Sequence, residues 1–372
     1  MNPSPADAVC LFLCGDVMTG RGIDQILPYP APPVLDEPYV RDARDYVQLA
    51  EESHGLIPRA ADFAYIWGDA LAELQRSQPD ARIINLETSI TLSEMPWPDK
   101  GINYRMNPKN IGCLTAAGID CCCLANNHVL DWGYDGLAET LETLDAAGIS
   151  HAGAGRNAQQ AASPAVLHVG SWGRVLVFAF GTTTSGIPPD WRATERHPGV
   201  NVLEDLSDNT AVRIGAEIRA HKESHDLAVV SIHWGGNWGY DISARQIDFA
   251  HRLIGEGVDL VHGHSSHHVR AAEVYHDRLV LYGCGDFITD YEGITGYEEF
   301  RGDLALMYLA KVESQSGRLL EARLLPMQSR RFRLQRASGK DAKWLCARMN
   351  ELGTPFGTHA RLESDNSIRL FW

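Results

Sequence analysis

Short apolar runs that stop abruptly at polar residues recur along the chain. Residues 9–14 end at Gly15-Asp16, residues 81–86 end at Glu87, and residues 119–124 lead into Asn126-Asn127-His128. Runs of this length bounded by turn formers predict buried strands. Helix-like spacing covers residues 59–76, reached through a loop with Pro28, Pro30, Pro32 and Pro33, and residues 136–147, which Gly148 stops. Strands alternating with helices predict an α/β sandwich with ligands at the strand ends.

The second half is richer in strand. Residues 165–169 and 174–180 read as a hairpin through Ser171-Trp172-Gly173. Residues 227–232 run into His233-Trp234-Gly235-Gly236, a helical pattern spans 244–256, and residues 258–261 lead into Gly263-His264-Ser265-Ser266-His267. Antiparallel candidates follow at 271–275, 279–283, 304–312 and 319–325.

Composition narrows the partners. With 44% hydrophobic and 22% charged residues over 372 positions, the chain reads as a soluble folded protein of one large domain or two. A net charge of −15 disfavours nucleic acid or an anionic membrane as the general partner. Within residues 318–348, however, nine Lys or Arg face two acids. No apolar run approaches the roughly 18 residues of a membrane span, and no Lys or Arg precedes Arg21, unlike a secretory signal. Eight cysteines, three of them adjacent at Cys121, Cys122 and Cys123, read as buried thiols, so a reducing, cytoplasmic location is expected.

Five segments place an oxygen or imidazole donor just after an apolar run: Asp16, Asn85 with Glu87, Asn126-Asn127-His128, His233, and His264 with His267. Singly, each has a structural explanation, since Asp and Asn cap helices and turns and a strand-end His is commonly hydrogen-bonded. Together they would meet at one edge of an α/β sheet. Carboxylate, amide oxygen and imidazole suit a divalent metal such as Mn, Fe or Zn, and a bridging carboxylate would hold two ions about 3.5–4 Å apart.

In this order, Gly15-Asp16-Val17-Met18, Asn85-Leu86-Glu87, Asn126-Asn127-His128 with Asp131 and Gly133, His233-Trp234-Gly235 and Gly263-His264-Ser265-Ser266-His267 closely resemble the CapA family of capsule and poly-γ-glutamate synthesis, which resembles the calcineurin-like metallophosphoesterases. The likeness runs from about residue 8 to 325 and includes residues 152–157 and Gly285-Asp286-Phe287. It implies a four-layer α/β/β/α sandwich with mixed sheets; the domain is expected over residues 8–328, and the charge pattern marks residues 329–372 as a basic C-terminal extension packed on or beside it. It also implies one or two divalent ions on Asp16, Glu87 (at the bridging position), Asn127, His233, His264 and His267, with His128 as acid or base. The general metallophosphoesterase pattern has a His where this chain has Met18, and an Asp where it has Glu87, so one metal site is expected to be poorer in ligands.

Around these, Asp131 either orients His128 or caps the helix expected near Tyr134. Asn126, Arg156 and Trp234 are candidate substrate contacts. Arg156 could equally form a surface ion pair, and Trp234 and Trp238 either wall a pocket or pack. Asp286 is placed at the rim, and His262 and His268, at alternate strand positions, are expected to face elsewhere. The resulting expectation is a soluble metal-dependent hydrolase in which a metal-activated water attacks a phosphoester or acyl group of a small-molecule or polyanionic substrate, in poly-γ-glutamate or capsule metabolism. Two other readings stay open: an enzyme forming or cleaving amide bonds at the same centre, and a non-catalytic accessory subunit that binds an anionic polymer.

Overall fold

The computed structural model of the chain describes residues 8–170 and 173–372. Two mixed sheets, of ten and six strands among the described residues, face each other and are covered by helices on their outer sides. This is the four-layer α/β/β/α sandwich that the resemblance implies.

In the larger sheet the strand Ala8–Val17 runs parallel to Ala81–Leu86, which is parallel to Cys121–Cys123, while Leu304–Glu313 lies antiparallel on the other side. In the smaller sheet Gly173–Gly181, Leu227–His233, Leu260–His264 and Arg278–Leu281 are parallel neighbours. Alternation sorts their side chains. Leu227 and Val229 enter the core between the sheets, whereas Ala228, Val230 and Ile232 pack beneath the helices Asp208–His221 and Ala244–Gly255. Because these strands are parallel, their last residues share one rim, and His262 Nε2 lies 2.7 Å from the Cys14 carbonyl of the opposite sheet.

The expected helix over 59–76 is broken. A short turn at Tyr65–Trp67 precedes the helix Asp69–Ser77, and Gly68 between them adopts φ 47° against the Leu334 carbonyl. Helices Arg21–Ile26, Ala43–His54 and Asp208–His221 have no counterpart in the sequence reading. The hairpin pairs Ala165–Val169 with Gly173–Gly181, while its turn residues Ser171 and Trp172 lie outside the described residues. Residues 329–372 start inside the strand Leu319–Arg330 and contribute Arg333–Arg336, His359–Leu362 and Ile368–Phe371 to the larger sheet, together with the helix Gly339–Gly353. Cys121, Cys122 and Cys123 are fully buried and unpaired. Among the described residues, no helix is long and apolar enough to cross a membrane.

Candidate metal centre

The rim of the two sheets is built on a close approach of two Gly-Asp dipeptides. Asp16 N donates to the Gly285 carbonyl at 2.9 Å, and Asp16 is the register partner of Asp286 at the start of the strand Asp286–Ile288. A Cβ on Gly15 would stand 1.6 Å from the Gly285 oxygen, so only glycine fits. Gly15→Ala is therefore expected to lower unfolding stability by about 2 kcal/mol or more in chemical denaturation, whereas Gly255→Ala, whose Cβ meets nothing within 4 Å, stays neutral.

Two overlapping donor groups occupy this rim. One donor atom each from Asp16, His233 and His264 lies within 4.8 Å of the other two, and the same holds for Asp16, Glu87 and Asp286. Asp16 belongs to both groups, and Glu87 to the second. His233 Nδ1 faces His264 Nδ1 at 2.8 Å, and Asn127 Oδ1 lies 2.9 Å from His233 Nε2. His267 stands alongside, its Nδ1 3.0 Å from Asp286 Oδ1. The surrounding residues orient these groups. Asn85 donates to Asp16 Oδ1 at 2.7 Å, Ser231 Oγ sits 2.8 Å from His264 Nε2, and Ser185 Oγ donates to the His233 carbonyl at 3.0 Å. Ser265, at φ 100°, holds a conformation rare outside glycine and turns its N–H towards Asp16 Oδ2 at 3.3 Å.

The electrostatics call for a cation. Burial, reinforced by the neighbouring Asp286, pushes the Asp16 carboxyl up to about 7, and burial with Asp16 and Asp286 drives Glu87 well above the carboxylate range. Burial also holds His233 and His264 far below the usual imidazole value, as neutral donors. Among the described residues no Lys or Arg lies within 4.0 Å of Asp16, Glu87 or Asp286. Like charges 4 Å apart cost about 4 kcal/mol at an effective dielectric of 20, so a cation bound here would favour the ionised carboxylates over their protonated forms. Mixed carboxylate and imidazole donors fit a divalent ion.

His128 is poised at the edge of this group. Its Nδ1 lies 2.7 Å from Asp131 Oδ2, and its Nε2 points inward, 3.8 Å from Glu87 Oε1. Asp131 also accepts from Tyr104 N at 2.6 Å and pairs with Lys100 at 2.6 Å, so it orients the imidazole and does not cap the helix Gly133–Ala146, whose N-cap is Trp132. Tyr104 stacks on the ring at 3.8 Å between centroids. Burial, opposed by Asp131 and assisted by Lys100, lowers His128 to about 4, leaving Nε2 a free acceptor.

Three candidate substrate contacts sit elsewhere. Asn126 is fully buried and spends both ends internally, its amide donating to Asn85 Oδ1 and the Leu86 carbonyl and its oxygen accepting from His128 N. Trp234 lies in the core behind the smaller sheet, where its indole N–H donates to the Tyr282 carbonyl; on a strand end it follows His233 and so faces the opposite side. Arg156 pairs with Glu142 on the surface. His262, by contrast, shares the inner face with His264, because residues two apart on a strand point the same way, and it lies 3.1 Å from Ser231 Oγ. His268 does face away, packed against Trp238 and Phe300. The sequence reading put Asp286 only at the rim, although the repeated Gly-Asp dipeptide signals its place. Lys100, a lone charge in an irregular loop, carries no such signal.

The family model described as "Bacterial capsule synthesis protein PGA_cap" matches residues 10–291. A Mycobacterium tuberculosis protein named "Probable polyglutamine synthesis accessory protein" is 45% identical over 98% of this chain and 96% of its own length. The capsule biosynthesis protein CapA of Bacillus anthracis is 29% identical over 52% of this chain and 45% of its own. Among solved structures, a 5'-nucleotidase precursor from Thermus thermophilus aligns with 86% of this chain and 54% of its own, at 15% identity and a TM-score of 0.44.

Proposed function

The chain belongs to the PGA_cap family of bacterial capsule synthesis proteins, and from that premise we propose that it is a metal-dependent hydrolase that attacks a phosphoester or a related acyl group in capsule or poly-γ-glutamate metabolism. The observation that carries this reading is the convergence of buried Asp16, Glu87, Asp286, His233 and His264 with, among the described residues, no Lys or Arg within 4.0 Å of the three carboxylates. These residues, with Asn127 and His267 beside them, would hold the metal. A divalent ion bound there supplies a Lewis acid and lowers the pKa of a water towards neutrality.

The chain's own contribution to the reaction is proton handling and orientation. His128, fixed at Nδ1 by Asp131, exchanges a proton at Nε2 on the side that faces Glu87. Lys100 keeps Asp131 paired, and Tyr104 prevents the ring from turning.

A second reading, an accessory protein that binds an anionic polymer, is favoured by a different observation. Arg330 and Arg331 stand exposed beside a cavity lined by Ser53, His54 and Gln335, and among the described residues no carboxylate lies within 4.0 Å of either guanidinium. Metal content of the purified protein, measured together with turnover of an aryl phosphate and a γ-glutamyl amide in added Mn, separates the possibilities. Stoichiometric metal with phosphate release is the expected result. Turnover of the amide alone moves the reaction to amide chemistry, and folded protein with no turnover of either supports the accessory role.

A further inference from the structure

Next to the centre opens a cavity of 490 Å³ whose lining includes His267 and Asp286. One wall is aromatic and continuous with the centre. Trp238 lies 5.3 Å from the His267 ring, and Tyr297 stacks on Trp238 at 4.0 Å with the planes 1° apart. Tyr297 is nevertheless 47% exposed and lines the cavity. Tyr291, edge-on to His267 at 5.2 Å, continues the lining on the other side.

The charges of this cavity are almost all spent on each other. Arg21 is held by Asp290 and Glu37, Arg301 by Asp303 and Asp341, and Glu292 accepts from His54 and from the Arg331 and Phe332 amides. Among the described lining residues, no guanidinium is left without a carboxylate. A chain of carboxylates would therefore meet aromatic faces and paired guanidinium groups here, and an ammonium would find Glu298, which accepts from the Gly296 N–H, and Asp286, which faces His267.

We propose that this cavity binds a neutral sugar ring, the part of the substrate next to the bond that is attacked; the second half of the statement rests on the hydrolase reading above, and the first does not. Aromatic rings set among groups that both donate and accept match a molecule with a C–H face and a rim of hydroxyls. Each hydroxyl is donor and acceptor at once, and the Arg301–Asp303 pair offers both partners side by side, with the Thr289 and Ser329 hydroxyls nearby.

The test is equilibrium binding to the full chain, with and without Mn, read by ligand-observed NMR. The probes are methyl glucopyranoside, methyl galactopyranoside, a γ-glutamate oligomer and tetramethylammonium. At least one glycoside should bind at millimolar concentration. Tyr297→Ala, at an exposed position, should weaken it about tenfold or more with metal content unchanged, and Trp238→Ala should also weaken it. Failure of both glycosides to bind, binding that Tyr297→Ala leaves untouched, or a γ-glutamate oligomer or tetramethylammonium that binds in their place and responds to Tyr297→Ala overturns the proposal. Glycoside binding in a protein that turns over no ester or amide keeps the sugar site and overturns the hydrolase reading alone.

Discussion

His264→Ala is expected to strip the protein of its metal and of all turnover, whereas His128→Ala keeps the metal and loses roughly 10²–10⁴ in turnover of a substrate with a poor leaving group. The two imidazoles sit in the same rim, yet their surroundings differ. His264 Nδ1 is 2.8 Å from His233 Nδ1 and 3.9 Å from Asp16 Oδ1, inside a donor group, with Ser231 on its other nitrogen. His128 spends Nδ1 on Asp131 and brings only Nε2 near Glu87. Losing His264 removes a donor from the group it forms with Asp16 and His233; losing His128 removes a proton-transfer group. An activated aryl ester, whose leaving oxygen needs little protonation, should show a much smaller loss for His128→Ala if the imidazole delivers the proton to that oxygen. An equal loss on both esters assigns it to the attacking water. Metal analysis that finds His128→Ala as empty as His264→Ala makes the imidazole a ligand and removes it from proton transfer.

The rim was legible because parallel strands must end somewhere, and a buried apolar run that ends in Asp, Glu, Asn or His announces both the strand and the donor. Asp16, Glu87, His233 and His264 all follow that rule, and the structure brings their side chains together. What escaped depended on facing or on distance along the chain. Trp234 and Trp238 look alike beside glycines, but Trp234 alternates with His233 into the core while Trp238, past the turn, reaches the cavity. His262 lies two residues before His264 and so shares its face, a parity that the flanking glycine and serines obscure. Asp286 was undervalued because its partner Asp16 lies far earlier in the chain and only the close passage of Gly15 and Gly285 joins them. The helix Ala43–His54 carries a regular buried stripe at Ala43, Tyr46, Val47 and Ala50 and an Asp42 cap, yet the prolines before it drew the whole segment into a loop. In the C-terminal residues the charge pattern suggested an appendage, whereas strand pairing makes them part of the larger sheet.

Arg21→Met is expected to cost about 3–5 kcal/mol of stability, the largest loss from a single change outside the centre. Its guanidinium grips Asp290 through two bonds, Nε at 2.8 Å and Nη2 at 2.6 Å, and reaches Glu37 at 3.1 Å; all three side chains are buried to 2% exposure or less. Removing the cation leaves two carboxylates in the interior with only Gly22 N on Asp290 and the Tyr46 hydroxyl on Glu37 to solvate them. Removing the charges together should cost far less, because the penalty lies in the unpaired ion and not in the missing attraction. The triple variant Arg21→Met, Asp290→Asn, Glu37→Gln is thus expected to recover more than half of the loss in a denaturant titration. A single variant within 1 kcal/mol of the parent would mean that water reaches the carboxylates. The same guanidinium stands over Tyr46 at 3.6 Å and 4.9 Å from the ring of Tyr104, which is the face on which His128 rests. Stability and catalysis are therefore expected to fall together in Arg21→Met, with metal content retained, since no metal donor touches Arg21 and the imidazole loses only the support beneath it.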